Sequence, residues 1–299
     1  MLLHVAEEHR RLDSYLASHM VGISRSRLSQ AIRGGLVVVN GKAALPSQRL
    51  HLGDTVEFEP EPVGLGEGPK AQSIPLDVVF GDEHLAVINK AAGMVVHPAG
   101  GHRQGTLVNA LLGLGGSWSG LYGPQRPGIV HRLDKETSGL LVVARDEATH
   151  LSLAAQLRDR SLGRTYLAVV QGLPQATAID VDAPIGRHPR DRRRMAVDFA
   201  GRPSRTRLEV VERFAGHALM RADLETGRTH QVRVHLCYAG LPIVGDRVYG
   251  RAGVDLLGRP ALHAWRLHFT HPFTGSRMHF EAALPEDMNV LLQRLRGET

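Results

Sequence analysis

The stretch GIVHRLDKETSGLLVVAR, residues 128–145, places a polar segment between two apolar arms. The arms GIV and LLVVA have the composition of buried strands, so the chain is expected to enter a core on both sides of the segment. The polar side chains between the arms are His131, Arg132, Asp134, Lys135, Glu136, Thr137 and Ser138. A salt-bridge cluster or a capped turn is the ordinary explanation of one such segment taken alone.

A second polar segment, ETGRTHQVRVH at residues 225–235, has the same character. Its polar side chains include Arg228, Thr229, His230, Gln231 and Arg233. Two dense polar segments, each beside buried apolar runs, favour one shared cleft in which titratable groups perturb one another. The sequence therefore predicts an active or binding site to which both segments contribute.

Adjacent hairpins dominate the chain from residue 74 onward. LDVVFGDEHLAVINKA predicts two strands that turn at residues 81–84, and WRLHFTHPFTGSRMHFEAAL predicts another hairpin near the end. Helices are expected in TLVNALLGL, in DEATHLSLAAQLRD with Asp146 as its N-cap, in THQVRVHLCYAG and in PEDMNVLLQRLRGE. This pattern implies an α+β fold with a mixed, largely antiparallel sheet and flanking helices, not a doubly wound parallel sheet.

Residues 10–59 have a different order, which is helix, helix, strand, turn, strand. Leu12 and Leu16 share one helical face. Leu28 and Ile32 share the face of a second helix. LVVVNGK then turns at Asn-Gly, a strong hairpin signal, and GDTVEFE returns as a strand. The basic side chains of this part, which form either a solvated face or contacts to a polyanion, include Arg25, Arg27, Arg33 and Lys42.

The segment PEPVGLGEGPKAQ, which follows Glu59, is rich in Pro and Gly and has no hydrophobic periodicity. Such a composition is typical of a linker between domains. We therefore expect a small N-terminal domain at residues 1–62, a linker at residues 63–73 and a larger domain at residues 74–299.

The composition narrows the class of protein. Lys and Arg total 36 against 30 for Asp and Glu, a net charge of +6 that fits either an ordinary basic face or a polyanionic partner. The single cysteine, Cys237, excludes an intramolecular disulfide and suits a reducing compartment. No apolar run approaches the roughly 20 residues of a membrane span, and the N-terminus lacks the apolar core of a signal peptide. We expect a cytoplasmic protein without a membrane partner.

Several common catalytic motifs are absent from the sequence. It contains no GxxxxGK[ST] phosphate loop, no HExxH zinc helix and no GxSxG nucleophile elbow. The 17 histidines are scattered along the chain. His230 and His235 are five residues apart, so a helix would not direct both at one metal ion. We expect no metal site.

The segment PGIVHRLDKETSGLLVVA closely resembles the motif that carries the catalytic aspartate of RluA-type pseudouridine synthases. The resemblance continues in order over residues 75–299, through INKAAGMVVHPA, RTYLAVVQG, APIGRHPRDRRRMAV and LETGRTHQVRVHLCYAGLPIVGDRVYG. RLDSYLA, SRSRLSQAIRGGLVVVNGK and the following strand resemble the S-four-type RNA-binding domain over most of residues 10–59. With that domain in front, the chain looks most like the RluD-like branch, which acts on large-subunit ribosomal RNA.

The resemblance implies that the protein isomerises uridine to pseudouridine in RNA. The bond between uracil N1 and ribose C1′ breaks, the base turns and it rejoins through C5, so the chemistry requires no cofactor. By resemblance, Asp134 is the catalytic carboxylate, either as the nucleophile toward C1′ or as the base for the ribose 2′ proton. By resemblance again, Arg228 is the cation that keeps Asp134 ionised. Tyr166 resembles the tyrosine that packs on the base and is a candidate for taking the C5 proton.

A uridine in folded RNA must leave its stack to reach such a pocket. His131 and Arg132 lie beside Asp134 in sequence and are expected to fill the gap and hold phosphates, a role that the resemblance supports for Arg132. A basic run is expected to contact the RNA backbone through Arg187, Arg190, Arg192, Arg193 and Arg194. The S-four-type domain is expected to contact phosphates through Arg25, Arg27 and Lys42.

The expected partner is structured RNA, namely large-subunit ribosomal RNA or a ribosomal precursor particle, and the protein is expected to act as a monomer. Transfer RNA or another structured RNA is the alternative substrate. Two rival functions are a binding module that has lost catalysis and a nucleoside glycosylase or hydrolase that releases free uracil. The first is disfavoured because Asp134, Tyr166 and Arg228 are all present, and an assay for free uracil tests the second.

Overall fold

The fold is that of a computed structural model of the 299-residue chain. The structure describes residues 1–20, 25–58, 68–98, 102–123, 125–191, 194–250 and 256–297, apart from the side chains at positions 26, 27 and 30. Within these ranges, no helix is both long enough and apolar enough to cross a membrane.

The chain divides into two units. The first comprises Met1–Lys70 together with Gly120–Pro127, and the second comprises Ala71–Ser119 together with Gly128–Thr299. Residues 63–67 of the expected linker lie outside the described residues. The grouping of Gly120–Pro127 with the first unit has no counterpart in the hydrophobic pattern of the sequence.

The first unit combines two short helices with a small sheet. Its elements are β1 (Leu2–His4), α1 (Leu12–His19), α2 (Arg25–Arg33), β2 (Val37–Val39), β3 (Lys42–Ala43) and β4 (Thr55–Phe58). The strands are antiparallel in the order β1-β4-β2-β3. The predicted helical faces are confirmed, because the apolar side chains of both helices are buried in one cluster. These include Leu12, Leu16, Leu28 and Ile32.

The predicted hairpin turn at Asn40 and Gly41 is also confirmed. Both residues have left-handed backbone, with φ of 52° and 69°, as a two-residue hairpin loop requires. The Asn40 side chain fixes the turn further, since its Nδ2 donates to Asp54 Oδ1 at 2.8 Å and its Oδ1 accepts from the Thr55 amide at 2.8 Å. The turn therefore closes the small sheet between β2 and β3.

The second unit contains the larger sheet and its helices. Its strands are β5 (Asp77–Gly81), β6 (Leu85–Lys90), β7 (Ser138–Ala144), β8 (Gly163–Gln171), β9 (Ala178–Asp182), β10 (Ile185–Arg187), β11 (Met195–Val197), β12 (Arg205–Phe214), β13 (His217–Leu224), β14 (Leu262–Thr270) and β15 (Arg277–Glu281). Its helices are α3 (Leu107–Gly113), α4 (Glu147–Asp159), α5 (Gln231–Tyr238) and α6 (Glu286–Gly297). Asp146 caps α4 as predicted, because its carboxylate accepts from the Thr149 amide at 2.8 Å.

The larger sheet has the strand order β5-β6-β7-β14-β8-β13-β12-β9, and β15 also pairs with β14. Neighbouring strands are antiparallel except for β7 and β14, which run parallel. The predicted mixed, largely antiparallel sheet is therefore confirmed. A separate two-stranded ribbon, β10 with β11, was not predicted. The GIV arm is shorter than predicted, since only Ile129 forms an isolated bridge, to Val143.

Two strands that flank β14, namely β7 and β8, place the predicted site in the sheet. Strand β7 begins directly after the polar segment and is buried along its whole length, so its register anchors that segment. Strand β8 lies in the middle of the sheet and carries Tyr166, opposite Ala222 of β13 and Ala264 of β14. The small alanine side chains beside Tyr166 leave room for the ring on that face of the sheet.

The parallel strands β7 and β14 approach each other closely at Gly139. Its φ is +112°, and a Cβ atom at this position would lie 2.2 Å from the Ala264 carbonyl oxygen. Backbone cannot give way as a flexible side chain can, so this contact requires glycine. Gly275, in the turn between β14 and β15, also has a positive φ of +70° but has nothing within 4 Å of such a Cβ.

Gly139→Ala is therefore expected to lower the free energy of unfolding of the second unit by about 3 kcal/mol or more, because strain and a backbone clash combine. Gly275→Ala, the matched control, should cost only about 1 kcal/mol, since it adds a left-handed alanine without a clash. Urea unfolding followed by tryptophan fluorescence measures both, because Trp118 and Trp265 lie in the second unit. Equal losses for the two variants would contradict the close approach of β7 and β14.

Candidate active site

Asp134 lies in the short loop that leads into β7. Its side chain is 19% exposed, and its Oδ2 accepts a hydrogen bond from Arg233 Nη1 at 3.1 Å. The Thr137 amide donates to the Asp134 carbonyl at 3.1 Å, which closes a turn and fixes the direction of the loop. The two polar segments of the sequence thus meet, through an ion pair between a carboxylate at 134 and a guanidinium at 233.

Arg233 is a buried residue of α5 that holds two carboxylates. Besides Asp134, it binds Asp246 by a bidentate pair, in which Nε donates to Oδ2 at 2.7 Å and Nη2 donates to Oδ1 at 2.9 Å. Burial opposes the charge of the guanidinium, but the hydrogen bonds and charge of Asp246, together with the charge of Asp134, outweigh it and raise the pKa of Arg233 above its usual range. The cation is thus permanently charged at this position.

The predicted partner of Asp134, Arg228, is wrong. Arg228 lies before the start of α5, and its Nε donates to the Pro203 carbonyl at 3.2 Å. Its backbone amide donates to Gln231 Oε1 at 2.9 Å, which holds this segment against the helix start. The structure places Arg233, within the helix, beside the carboxylate instead.

His230 is a further group near Asp134 to which the sequence assigned no role. Its Nε2 lies 3.9 Å from Asp134 Oδ1, and its Nδ1 lies 2.9 Å from the Tyr249 hydroxyl. The residue precedes α5 with a left-handed backbone, φ 58°, which turns the imidazole toward the carboxylate. Burial lowers the pKa of His230, although the Asp134 charge opposes this shift, so the neutral imidazole is favoured.

Lys90 supports the loop of Asp134 from inside the protein. This lysine at the end of β6 is 1% exposed, and its Nζ donates to the carbonyls of Ala91 at 2.7 Å, Met94 at 3.0 Å and Lys135 at 3.1 Å. Burial lowers its pKa to about 7. The contact with Lys135 joins the segment INKAAGMVVHPA to the residue that follows Asp134.

Tyr166 belongs to the same polar site. The residue is buried in the middle of β8, and burial raises the pKa of its phenol to about 12. The charge of Arg164 lowers this pKa and that of Asp134 raises it, so the hydroxyl lies within electrostatic range of both groups. Near neutral pH the phenol is therefore protonated.

The expectation that His131 holds phosphates is wrong. The imidazole is buried, and its Nε2 accepts a hydrogen bond from the Val142 amide at 3.2 Å. Burial, together with the charge of Arg164, lowers its pKa to about 3, so it is neutral. Arg132, in contrast, is exposed, and its charge reaches His230 from the surface.

Much of the predicted basic run lies on the β10–β11 ribbon. His188 Nδ1 accepts from the amides of Arg190 and Asp191 at 3.3 and 3.0 Å, which orders the connecting loop. The Arg194 guanidinium lies 5.4 Å from the centre of the Tyr249 ring, and the Met195 amide donates to the Tyr249 hydroxyl at 2.8 Å. Since the same hydroxyl contacts His230, the ribbon is tied to the polar site. Arg187 ends β10, whereas Arg192 and Arg193 lie outside the described residues.

In the first unit, the predicted RNA contacts have different surroundings. Arg25 is half exposed and pairs with the buried carboxylate of Asp13 at 3.0 Å. Lys42 is exposed on β3 next to the hairpin turn. The side chain of Arg27 lies outside the described residues.

Comparison with known proteins identifies the family. A model of the RNA pseudouridylate synthase family matches residues 84–238, a range that includes Asp134, Tyr166 and Arg233. The chain belongs to the RNA pseudouridylate synthase family. A model of the S4 domain matches residues 10–56, which confirms the predicted S-four-type domain. The protein is thus an RNA pseudouridine synthase, an isomerase, as the sequence motifs predicted.

Similar proteins extend along nearly the whole chain. The Uncharacterized RNA pseudouridine synthase YlyB of Bacillus subtilis is 46% identical over 292 residues, which cover 97% of this chain and 95% of that protein. The Ribosomal large subunit pseudouridine synthase D of Nitrosomonas europaea is 45% identical over 300 residues, with 96% and 85% covered. The structure of Human RNA Pseudouridylate Synthase Domain Containing 1 is similar at 25% identity with a TM-score of 0.58, covering 76% of this chain and 96% of that one.

Arg233→Met should lower the rate of pseudouridine formation at saturating RNA at least about 100-fold, because Asp134 loses the hydrogen bond and the charge that position it. Arg228→Met, the matched control from the same segment, should stay within about 5-fold of the parent enzyme. Arg233→Lys is the second variant, for use if Arg233→Met misfolds. It keeps a positive charge beside the two carboxylates but lacks the planar fork of donors that holds both. If Arg233→Met forms pseudouridine as fast as the parent enzyme, or if Arg228→Met is slowed equally, Arg233 is not the group that positions Asp134.

Proposed function

We propose that the protein converts specific uridines of large-subunit ribosomal RNA to pseudouridine, acting as a monomer in the cytoplasm. The observation that carries the proposal is the Asp134 carboxylate, which Arg233 holds in the polar site of a pseudouridine synthase chain. Relatives from Nitrosomonas europaea and Pseudomonas aeruginosa, each 45% identical, bear the name Ribosomal large subunit pseudouridine synthase D. The single cysteine, which suits a reducing compartment, supports the location.

In this proposal Asp134 acts on the ribose of the target uridine. A carboxylate beside C1′ handles the positive charge that develops there when the bond to the base breaks, as in glycoside chemistry. It does so either by bonding to C1′ or by removing the 2′ proton. Arg233 holds the carboxylate by Oδ2, and its bidentate pair with Asp246 prevents it from following the substrate.

Tyr166 contributes its ring to the base in this proposal. Because its phenol is protonated near neutral pH, it is poorly suited to take the C5 proton unless it first loses its own. Packing against the base requires only the ring, and stacking of this kind contributes roughly 1–3 kcal/mol per base. We therefore propose a packing role for Tyr166 and not the role of a base.

The RNA backbone is held by the exposed basic groups. Arg132, at the surface beside Asp134, suits contact with the phosphates of a flipped nucleotide. The β10–β11 ribbon brings the exposed Arg187 and Arg190 and the half-buried Arg194 to the same unit. In the first unit Arg25 and Lys42 supply further positive charge. Each phosphate contact makes the affinity for RNA fall more steeply as the salt concentration rises.

Mapping of pseudouridine in the ribosomal RNA of cells with and without this protein tests the proposed substrate. We expect particular large-subunit sites to lose pseudouridine in the deletion strain and to regain it with the parent protein. Asp134→Asn should not restore them, because the amide keeps the shape of the side chain but cannot act as nucleophile or base.

Three results would contradict the proposal. An unchanged ribosomal pattern with loss of pseudouridine from transfer RNA would move the enzyme to the alternative substrate. Release of free uracil by the purified protein would indicate a hydrolase. Restoration of the missing sites by Asp134→Asn would remove the carboxylate from the reaction.

A further inference from the structure

Arg164 is a buried arginine that the mechanism above does not use. It is 9% exposed, and its Nε is sealed from solvent without a hydrogen-bond partner. Within the described part of the chain its guanidinium forms no ion pair with a carboxylate. Two other buried arginines differ, because Arg233 binds Asp246 at 2.7 Å and Arg259 binds Asp287 at 2.6 Å. A desolvated cation without a counter-charge weakens a fold, so a group of the substrate is the natural candidate to complete it.

The position of Arg164 directs it into the active site. Side chains two residues apart on a strand share one face, so Arg164 and Tyr166 project to the same side of β8. The charge of Arg164 acts on Tyr166 and on His131, which places it within the same polar site. Its guanidinium lies against Gly227, where an added Cβ atom would be 2.5 Å from Nη1. Gly227 precedes α5, the helix that carries Arg233.

Two kinds of anionic oxygen are available in an RNA substrate. Phosphate oxygens stay with the backbone of a flipped nucleotide, at the surface where Arg132 lies exposed. Arg164 lies in the interior instead, beside the tyrosine that packs on the base. The base itself becomes anionic when its bond to C1′ breaks, because the electron pair of that bond remains on N1 and spreads to O2 and O4. A buried cation aimed at that position stabilises charge only as it develops.

We propose that Arg164 is a catalytic residue that donates hydrogen bonds to the uracil ring and stabilises its negative charge during breakage of the N1–C1′ bond. The proposal rests on the proposed function. No proton leaves the guanidinium. The ribose side is balanced by Asp134, either through a bond to C1′ or through loss of the 2′ proton. C5 then bonds to C1′ and loses its proton, and N1 gains one, so that the overall change is an isomerisation.

The test compares variants in single-turnover reactions with saturating large-subunit ribosomal RNA transcripts, made either with uridine or with 5-fluorouridine. Arg164→Met removes the charge at similar length. We expect a loss of about 100-fold in the rate of N1–C1′ cleavage with uridine, the scale of one preorganised donor. With 5-fluorouridine the loss should shrink to less than about 10-fold, since fluorine already stabilises the leaving anion. RNA affinity should change by less than about 3-fold.

Two further variants keep the test decisive if Arg164→Met folds poorly. Gly227→Ala leaves Arg164 in place but displaces its guanidinium, and it should reproduce part of the loss with the same sensitivity to fluorine. Arg164→Lys keeps the charge and should retain more activity than Arg164→Met. Arg160→Met is the matched control, because Arg160 is an exposed arginine paired with Glu225 at 2.6 Å, and it should match the parent.

Three outcomes overturn the proposal. Normal cleavage at saturating RNA, with weaker binding and a salt slope lower by about one, would make Arg164 a phosphate contact. Equal losses with uridine and 5-fluorouridine would exclude stabilisation of the leaving base. If folded Arg164→Met cleaves the N1–C1′ bond as fast as the parent enzyme, Arg164 has only a structural role. If the parent enzyme itself forms no pseudouridine on these transcripts, the proposed substrate fails instead, and the comparison moves to the RNA found by mapping.

Discussion

Arg233 is the group on which the polar site depends, because it bonds at the same time to carboxylates from two other segments. Asp134 precedes β7, whereas Asp246 follows α5, so the guanidinium joins parts of the chain that are distant in sequence. Only a planar fork of donors holds two carboxylates in this way, and a lysine ammonium does not replace it. Because all three charges are largely withdrawn from water, removal of Arg233 would leave two carboxylates without their cation.

Hydrophobic pattern and turn chemistry predicted much of the fold, and they also predicted that two polar segments meet. The Asn40–Gly41 turn and the Asp146 cap are local features, so the sequence alone determines them. Arg228 was assigned by resemblance alone, and both arginines lie in the same polar segment, so the choice of Arg233 depends on the tertiary packing of α5 beside the Asp134 loop. The prediction for His131 was wrong for a related reason, since its burial depends on the packing of β7 against it. The β10–β11 ribbon has three-residue strands, too short for alternation to be recognised.

The arginines near the active site of the second unit are either exposed or buried. Arg132 is exposed, while Arg164 and Arg233 are buried. Burial also keeps the other titratable groups neutral, because it lowers the pKa of a histidine such as His131 and raises that of a tyrosine. The surface is therefore suited to phosphates, and the interior presents a few fixed charges to a single neutral base. The division separates a surface that suits RNA phosphates from the buried charges of the active site.

A double-mutant cycle between Arg233 and Asp246 tests the central claim most directly. Asp246→Asn keeps the oxygen that accepts from the amides of Val248 and Tyr249 at 2.9 and 3.1 Å. It removes the negative charge and the second oxygen, which accepts from Arg233 Nε at 2.7 Å. Single-turnover rates of pseudouridine formation are compared for the parent, Asp246→Asn, Arg233→Lys and the double variant. If the two residues act as one unit, the double variant should be within about 2-fold of the slower single variant. If the rate losses of the two single variants multiply in the double variant, Asp246 does not act through Arg233.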